Sequence, residues 1–473
     1  MPDIKNSKYK TVKKTVKTAG SSNPAQVYYG VHLITASKIN TANKSRLMSP
    51  IEAERRKSLL MTGTHSGTSS IRKMRKPTKK LSLKPAPAIP TAPKSKAEIR
   101  KNFIKTTLKK YYDLLDKKLF LITLILSVLG IISVYSSTLT YKSLRFVAIQ
   151  IFAAAAGMLL ICAMAFVDYR QFAKKYKAVI LINAFLLIFT FFFGEGVTSE
   201  TNANWINLGF IKIQPSEFAK LLFIYSFAVH LYFVKDRINK LFTAMSLFLH
   251  AGIIIGLTFL QKDLGTLTVF LFIFIVMCFA ANLNLWYFIT GAAAVVVASP
   301  FIWSKLNYYQ QQRILVPFDP TVDPLGQGIR HQTVRSLTAI SLGGINGKGY
   351  ACGEVTQGDF FAKHTDMIFS TICEEFGFIG GAAVLILYAL LIIKIIHIAI
   401  SCDNPLGCLI CTGVAAMFII QILENIGMCL GIMPVIGITL PFISYGGSSA
   451  ISTYIAIGLV VSVSTHKEKS FFG

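Results

Sequence analysis

The chain predicts an all-α polytopic membrane protein, on three observations. Its mean hydropathy is +0.54 and 53% of its 473 residues are hydrophobic, too apolar for a soluble domain of this size. Ten apolar windows, most of them long enough to cross a bilayer, follow one another from residue 119 to 465. Lys and Arg gather in alternate connections between those windows, the bias that marks cytoplasmic loops.

The first element is a tail, residues 1–117. Residues 1–118 hold 28 Lys/Arg against 6 Asp/Glu. Low hydrophobicity with high charge predicts a disordered basic segment. It has no run of about 20 apolar residues, so nothing in it spans. No short apolar core follows its basic start, so it is not read as a cleavable signal peptide. A cytoplasmic tail that sets topology accounts for it, with attraction to anionic membrane lipids as an added role. Nucleic-acid binding ranks last, because a basic tail beside a first span is already explained, and no nucleic-acid partner is expected.

The membrane domain is read as 118–466, with a short cytoplasmic C-terminus at 467–473. Its expected spans are 119–137, 146–168, 178–193, 214–234, 242–261, 264–281, 285–303, 366–393, 406–426 and 447–465. The 170–177 loop (Arg170, Lys174, Lys175, Lys177), the 235–240 loop (Lys235, Arg237, Lys240) and His466 to Lys469 fall on one side with the tail, so both termini are expected inside. The large loop 304–365, between spans seven and eight, is then outside. The other polar stretches, 194–220, 261–266 and 425–447, end on that same outer side. No Walker-type loop is present, so ATP hydrolysis is not suggested. The eight cysteines are scattered. Cys408 and Cys411 form a C-x-x-C inside an apolar run, with no second pair to make a metal site.

Several residues stand out chemically. Glu217 and Lys220, three apart at the outer start of the fourth span, share a helix face and can pair. Charges at membrane depth usually face a cavity or a partner, so a structural ion pair and a substrate cavity are both open. Pro215 fits a helix start, with Gln214 and Ser216 placed to satisfy free N–H groups. Asp263 reads as a helix cap, and Asp366, after His364 and Thr365, as another. Of Glu374 and Glu375, inside the eighth span, one must point away from lipid and find a partner within the bundle, and Glu424 in the ninth invites the same argument. In the large loop, Asp319 and Asp323 each precede a proline, which biases them to extended backbone in a stiff turn. Either is a candidate general base with a raised pKa, and from residue type alone a plain turn role is favoured for both.

Six motifs then occur in order: QPSEFAK, KDLGT, R-x5-DPTVDPLGQG, GGINGKGY, HTDMIFSTICEEFG and MPVIGITLPFISYGGSS. Together they resemble the SEDS family (shape, elongation, division and sporulation), from about residue 119 to 465. The elongation branch, RodA, is resembled more than the division branch, FtsW, and the sporulation branch, SpoVE, stays open. The resemblance implies a ten-span bacterial inner-membrane glycosyltransferase with its site on the outer face. It would polymerise lipid II beside a class B penicillin-binding protein, a transpeptidase. The family's essential loop aspartate falls on Asp323, its cavity pair on Glu217 and Lys220, and its loop arginine on Arg313. Gln214, Asp263, His364, Asp366 and Ser444 complete the candidate substrate-binding set. The segment Asn202 to Trp205, Lys262, Ile329 and the run Phe361-Ala362-Lys363 depart from the family pattern.

The implied reaction joins the 4-hydroxyl of GlcNAc in one lipid II to C1 of MurNAc in the undecaprenyl-pyrophosphate-linked chain. Asp323 would take the hydroxyl proton and the anomeric centre would invert. Lys220, Arg313 or a divalent cation (Mg or Mn) would stabilise the departing pyrophosphate, and no residues are assigned as metal ligands. The rival readings are a lipid II flippase and a non-catalytic scaffold that activates a transpeptidase. Polar groups gathered on one side favour the enzyme, because alternating access needs a path to both sides.

Overall fold

The computed structural model describes residues 116–194, 204–207, 209 and 212–466. The tail expected over 1–117, apart from Asp116 and Lys117, and the C-terminal 467–473 lie outside the described residues. A bilayer offers the backbone no hydrogen bonds, so each apolar window closes on itself as a helix. These helices are α1 (Lys117–Thr138), α2 (Arg145–Met164), α3 (Tyr176–Phe193), α4 (Pro215–Val234), α5 (Leu241–Leu260), α6 (Leu264–Ala280) and α7 (Leu285–Lys305), followed by the short α8 (Tyr308–Leu315), α9 (His331–Gly343) and α10 (Glu354–Gln357), then α11 (Ile368–Ile400), α12 (Pro405–Cys429) and α13 (Gly447–Thr465). Among the described residues nine are long and apolar enough to span, and α6, with 17 residues, is a shorter apolar tenth. A two-stranded hairpin, β1 (Ile206–Asn207) and β2 (Lys212–Ile213), pairs Ile206 with Ile213 just before α4.

Burial separates a centre from a rim. In α4, α12 and α13, 72% of the apolar window is inside the protein, against 17% for α3 and 0% for α7. The central helices accordingly carry the small and polar residues, and the rim is Phe-, Ile- and Leu-rich. Small residues set the close approaches, as expected where lipid gives no hydrophobic drive between helices. Gly157 of α2 lies against the Tyr454 ring of α13, Gly458 against Met164, and Gly413 of α12 against Ile224 and Met277. The Tyr454 hydroxyl meets Ser127 Oγ of α1 at 2.6 Å, tying a third helix to that contact.

The eighth expected span differs from the structure in a way that matters. It was expected over 366–393 as one helix, but α11 runs from Ile368 to Ile400 and is broken at Gly377 (φ 66°, ψ −163°). The glycine-rich run after α9 fills the break. Lys348 and Gly349 N–H groups donate to the carbonyls of Glu374 and Glu375 at 2.9 and 3.0 Å. Phe378 N–H in turn donates to the Gly344 carbonyl at 2.8 Å. A Cβ at Gly347 (φ 83°) would overlap the Glu375 carbonyl, so only glycine allows this approach. Irregular backbone at this depth is tolerated because protein buries it. The large loop is therefore not a simple polar excursion. It holds α8, α9 and α10, and α9 packs on α11.

Replacing Gly157 with Ala is expected to lower the thermal stability of the detergent-solubilised protein by about 1–3 kcal/mol, the usual range for overpacking. Gly252→Ala, where an added Cβ meets nothing within 4 Å, is expected to cause no such loss. Thermal unfolding of both variants checks the contrast.

Candidate active site

The site is built where α4 starts. Pro215 occupies its first turn, as read from the sequence. Gln214 and Ser216 do not supply the expected caps. The Gln214 side chain makes no cap bond, and its backbone N–H donates instead to Ser448 Oγ of α13 at 3.2 Å. Ser216 Oγ is buried without a hydrogen-bond partner. Glu217 and Lys220 do pair. Lys220 Nζ donates to Glu217 Oε1 at 2.9 Å, with the two side chains 3% and 8% exposed, lysine first. Ser452 of α13 donates to the other Glu217 oxygen at 3.0 Å. A buried ion pair persists only with such added bonds.

Asp263 caps α6 as expected, accepting from Thr266 N–H at 3.0 Å and Thr266 Oγ1 at 2.9 Å. Burial raises its pKa, against those bonds and the nearby Lys220 charge. Glu424 of α12, for which the sequence required only some partner, accepts from Thr268 Oγ1 of α6 and also lies within reach of the charges of Lys220 and Asp263. Three carboxylates thus surround one ammonium.

Asp366 is not a cap. The N-cap position of α11 is Met367, and no side chain caps it. Burial instead lifts the Asp366 carboxyl to about 6, with the Arg313 charge opposing the shift. The two residues, 53 positions apart in the chain, are therefore brought into electrostatic reach. His364 is caged by the rings of Tyr141, Phe146 and Tyr445, at centroid distances of 5.5, 5.2 and 5.6 Å. Its Nδ1 is buried without a partner. Burial, with the neighbouring Lys363 charge, lowers its pKa to about 4, so it is neutral at pH 7. The Ser444 hydroxyl is engaged within the protein, donating to the Thr365 carbonyl at 2.6 Å and accepting from Leu440 N–H at 2.8 Å.

The large loop separates its two aspartates. Asp319 accepts from Thr321 N–H at 2.9 Å and Thr321 Oγ1 at 2.6 Å, a local turn around the short helical turn Pro320–Val322. Asp323 reaches further. Its Oδ2 accepts from the N–H groups of Gly328 at 2.8 Å and Arg330 at 3.0 Å, closing the DPLGQG segment into a ring. The raised pKa considered for either residue is not found. Backbone N–H donors, that of Arg330 first, hold Asp323 below the ordinary carboxylate range, and Thr321 does the same for Asp319. Both are too exposed for burial to outweigh those bonds.

Three positioning residues had weaker signals in the sequence. Glu374 accepts from Val355 N–H at 2.7 Å and Thr356 N–H at 2.8 Å, gripping α10 from inside α11. Lys363, 2% exposed, donates to Thr140 Oγ1 at 2.8 Å and the Thr356 carbonyl at 2.6 Å. Glu375 accepts from Ser136 of α1. A partner was expected for one of Glu374 and Glu375, and both have one, whereas Lys363 was visible only as a departure from the family pattern.

Comparison with known proteins agrees with this architecture. The family model described as Cell cycle protein, covering FtsW, RodA and SpoVE, matches residues 116–469. The chain is 34% identical over 380 residues to stage V sporulation protein E of Bacillus subtilis (strain 168), covering 76% of this chain and 99% of that protein. It is 33% identical over 365 residues to the peptidoglycan glycosyltransferase MrdB of Escherichia coli (strain K12), covering 75% and 94%. Among solved structures it is similar to a chain from work on structural coordination of polymerization and crosslinking by a peptidoglycan synthase complex. That match has a TM-score of 0.64 and 30% identity, covering 75% of this chain and 99% of the other. From the span order, the paired Glu217 and Lys220, the DPLGQG ring and these matches, the chain belongs to the FtsW/RodA/SpoVE family, the SEDS proteins.

Proposed function

We propose that this protein is a peptidoglycan glycosyltransferase of the bacterial inner membrane that polymerises lipid II during cell elongation or cell-shape maintenance. The observation that carries the reading is the buried Glu217–Lys220–Ser452 cluster, in a chain of the same family as a named peptidoglycan glycosyltransferase. A buried ammonium at the start of a span is a candidate partner for the pyrophosphate of an undecaprenyl-linked donor. The basic loops around Lys174 and Lys235 support cytoplasmic termini, and with them the reading that α8–α10 and the cluster face outward.

In the proposed reaction the 4-hydroxyl oxygen of GlcNAc attacks C1 of the donor MurNAc. The C1–O bond to the pyrophosphate breaks, and the hydroxyl proton passes to Asp323. Direct displacement inverts C1, so one carboxylate suffices and Asp319 has no part. Lys220 and Arg313 offset the charge that builds on the leaving pyrophosphate. Asp323 must first lose its bonds from Gly328 and Arg330, because a carboxylate held by N–H donors is a poor base. Substrate binding to the DPLGQG ring is the step that would free it. A class B transpeptidase is the proposed partner, supported by the similar chain from a complex that couples polymerization to crosslinking.

Asp323→Asn in liposomes with labelled lipid II is expected to reduce polymer by at least about 10²-fold, the contribution of a general base, with unchanged thermal stability. Full polymerisation by this variant would sink the assignment, and lipid movement without polymer in the wild type would favour a flippase. Lys220→Met alone is expected to destabilise by about 3–5 kcal/mol, because it leaves a buried carboxylate unpaired. The double variant Glu217→Gln/Lys220→Met is expected to recover stability but not polymerisation. Recovery of both would show the pair to be structural only. Localisation of the tagged protein through growth tests the elongation role against division and sporulation.

A further inference from the structure

The segment that carries Asp323 is built unlike a loop in water. Its two aspartates bond within the segment, Asp319 to Thr321 and Asp323 to the N–H groups of Gly328 and Arg330. Val316 enters the protein, but Phe318 and Leu325 are 79% and 80% exposed. One exposed apolar side chain is ordinary on a surface. Two on one stiff segment, either side of the candidate base, raise the question of what they meet, and their height on the bundle answers it.

α8, just before the segment, lies against the ends of several spans. Gln311 Nε2 donates to the carbonyls of Trp303 and Leu306 at 2.9 and 3.3 Å, at the last turn of α7. Gln310 Nε2 donates to the Lys262 carbonyl, in the turn between α5 and α6, at 3.5 Å. Arg313 is within electrostatic reach of Asp366, just before α11. α9, just after the segment, is seated in the same way. Ser336 Oγ donates to the carbonyl of Cys429, the last residue of α12, at 2.6 Å, and meets Ser370 Oγ in the first turn of α11 at 2.5 Å. Gly326, inside the ring, lies against Val334 of α9. The segment is therefore pinned at both ends to the level where the spans leave the bilayer. Residues suited to that level stand beside it. Trp303 and Tyr308 are 38% and 75% exposed, and Lys305 Nζ reaches back over the Phe301 ring at 5.4 Å.

We infer that Phe318 and Leu325 are immersed in the acyl boundary of the leaflet on the loop side, so that the Asp323 ring rides at a fixed depth on the membrane surface. Acyl chains take up apolar surface that water would leave exposed. The bonds inside the segment satisfy Asp319 and Asp323 there without help from water. A partner protein seated on the two side chains is the rival occupant. One consequence rests on the proposed glycosyl transfer: the seat holds the base level with the sugar of a lipid-linked substrate, which makes Phe318 and Leu325 positioning residues.

The test uses the full-length protein in lipid nanodiscs, with neither lipid II nor a partner. p-Cyanophenylalanine replaces Phe318 or Leu325, and its nitrile infrared band reports contact with water. Phe185, 65% exposed within α3, supplies the lipid reference when replaced in the same way, and the free amino acid in buffer supplies the aqueous one. Both loop probes are expected to shift from the aqueous position to that of the Phe185 probe. Bands at the aqueous position overturn the seat. Aqueous bands that shift only when a class B transpeptidase is added overturn it in favour of the partner. With labelled lipid II, Phe318→Asp is expected to slow polymerisation by about tenfold or more at unchanged thermal stability, and Phe318→Leu to restore it. Full polymerisation by Phe318→Asp overturns the positioning role. Lipid-like bands in a protein that makes no polymer would overturn the glycosyltransferase reading and leave the seat standing.

Discussion

The backbone exchange at Gly377 is the contact that fixes the large loop to the helix bundle. A helix that breaks inside a bilayer strands N–H and C=O groups that lipid cannot satisfy. Here the 344–349 run supplies them, and in return its own backbone is satisfied by α11. This makes a loop far from its anchor in sequence a fixed part of the bundle. Glu374, one turn before the break, then holds α10, and Lys363 ties the same segment to the α1–α2 turn through Thr140. Glycines at 343, 347 and 377 are needed because backbone meets backbone there.

A second constraint is the handling of charge. The central helices bury Glu217, Lys220, Glu374, Glu375 and Glu424 at depths where an unpaired ion is expensive. Glu217, Lys220 and Glu374 find partners on other helices or one turn away, whereas Glu375 and Glu424 each keep one carboxylate oxygen buried without a partner. Glu217 and Lys220 pair within α4, and the Ser452 hydroxyl ties that pair to α13. The polar interior thus specifies register as well as chemistry.

Much of this architecture was legible in the sequence because one physical signal dominates it. Apolar runs in lipid have one outcome, so ten helices follow from hydropathy, and the three-residue spacing of Glu217 and Lys220 leads directly to their pairing. The break in α11 was not legible. Gly377 sits in a run with helical patterning, and the segment that satisfies it lies some thirty positions earlier. Asp319 and Asp323 looked equivalent because both precede proline. Only folding shows that one closes a two-residue turn and the other a whole ring. Asp366 misled for the opposite reason: its residue type suits a helix cap, but it is buried within reach of Arg313 instead. The tail, the longest feature read from composition, falls outside the described residues.

The ring closed by Asp323 has a consequence for water. An enzyme that holds an activated sugar at a membrane surface is always beside a far commoner nucleophile than its acceptor. A carboxylate already engaged by two backbone N–H groups has little basicity to offer a passing water molecule. Such a group would be released only by a ligand large enough to open the ring, so chain growth would be favoured over hydrolysis before any chemistry begins.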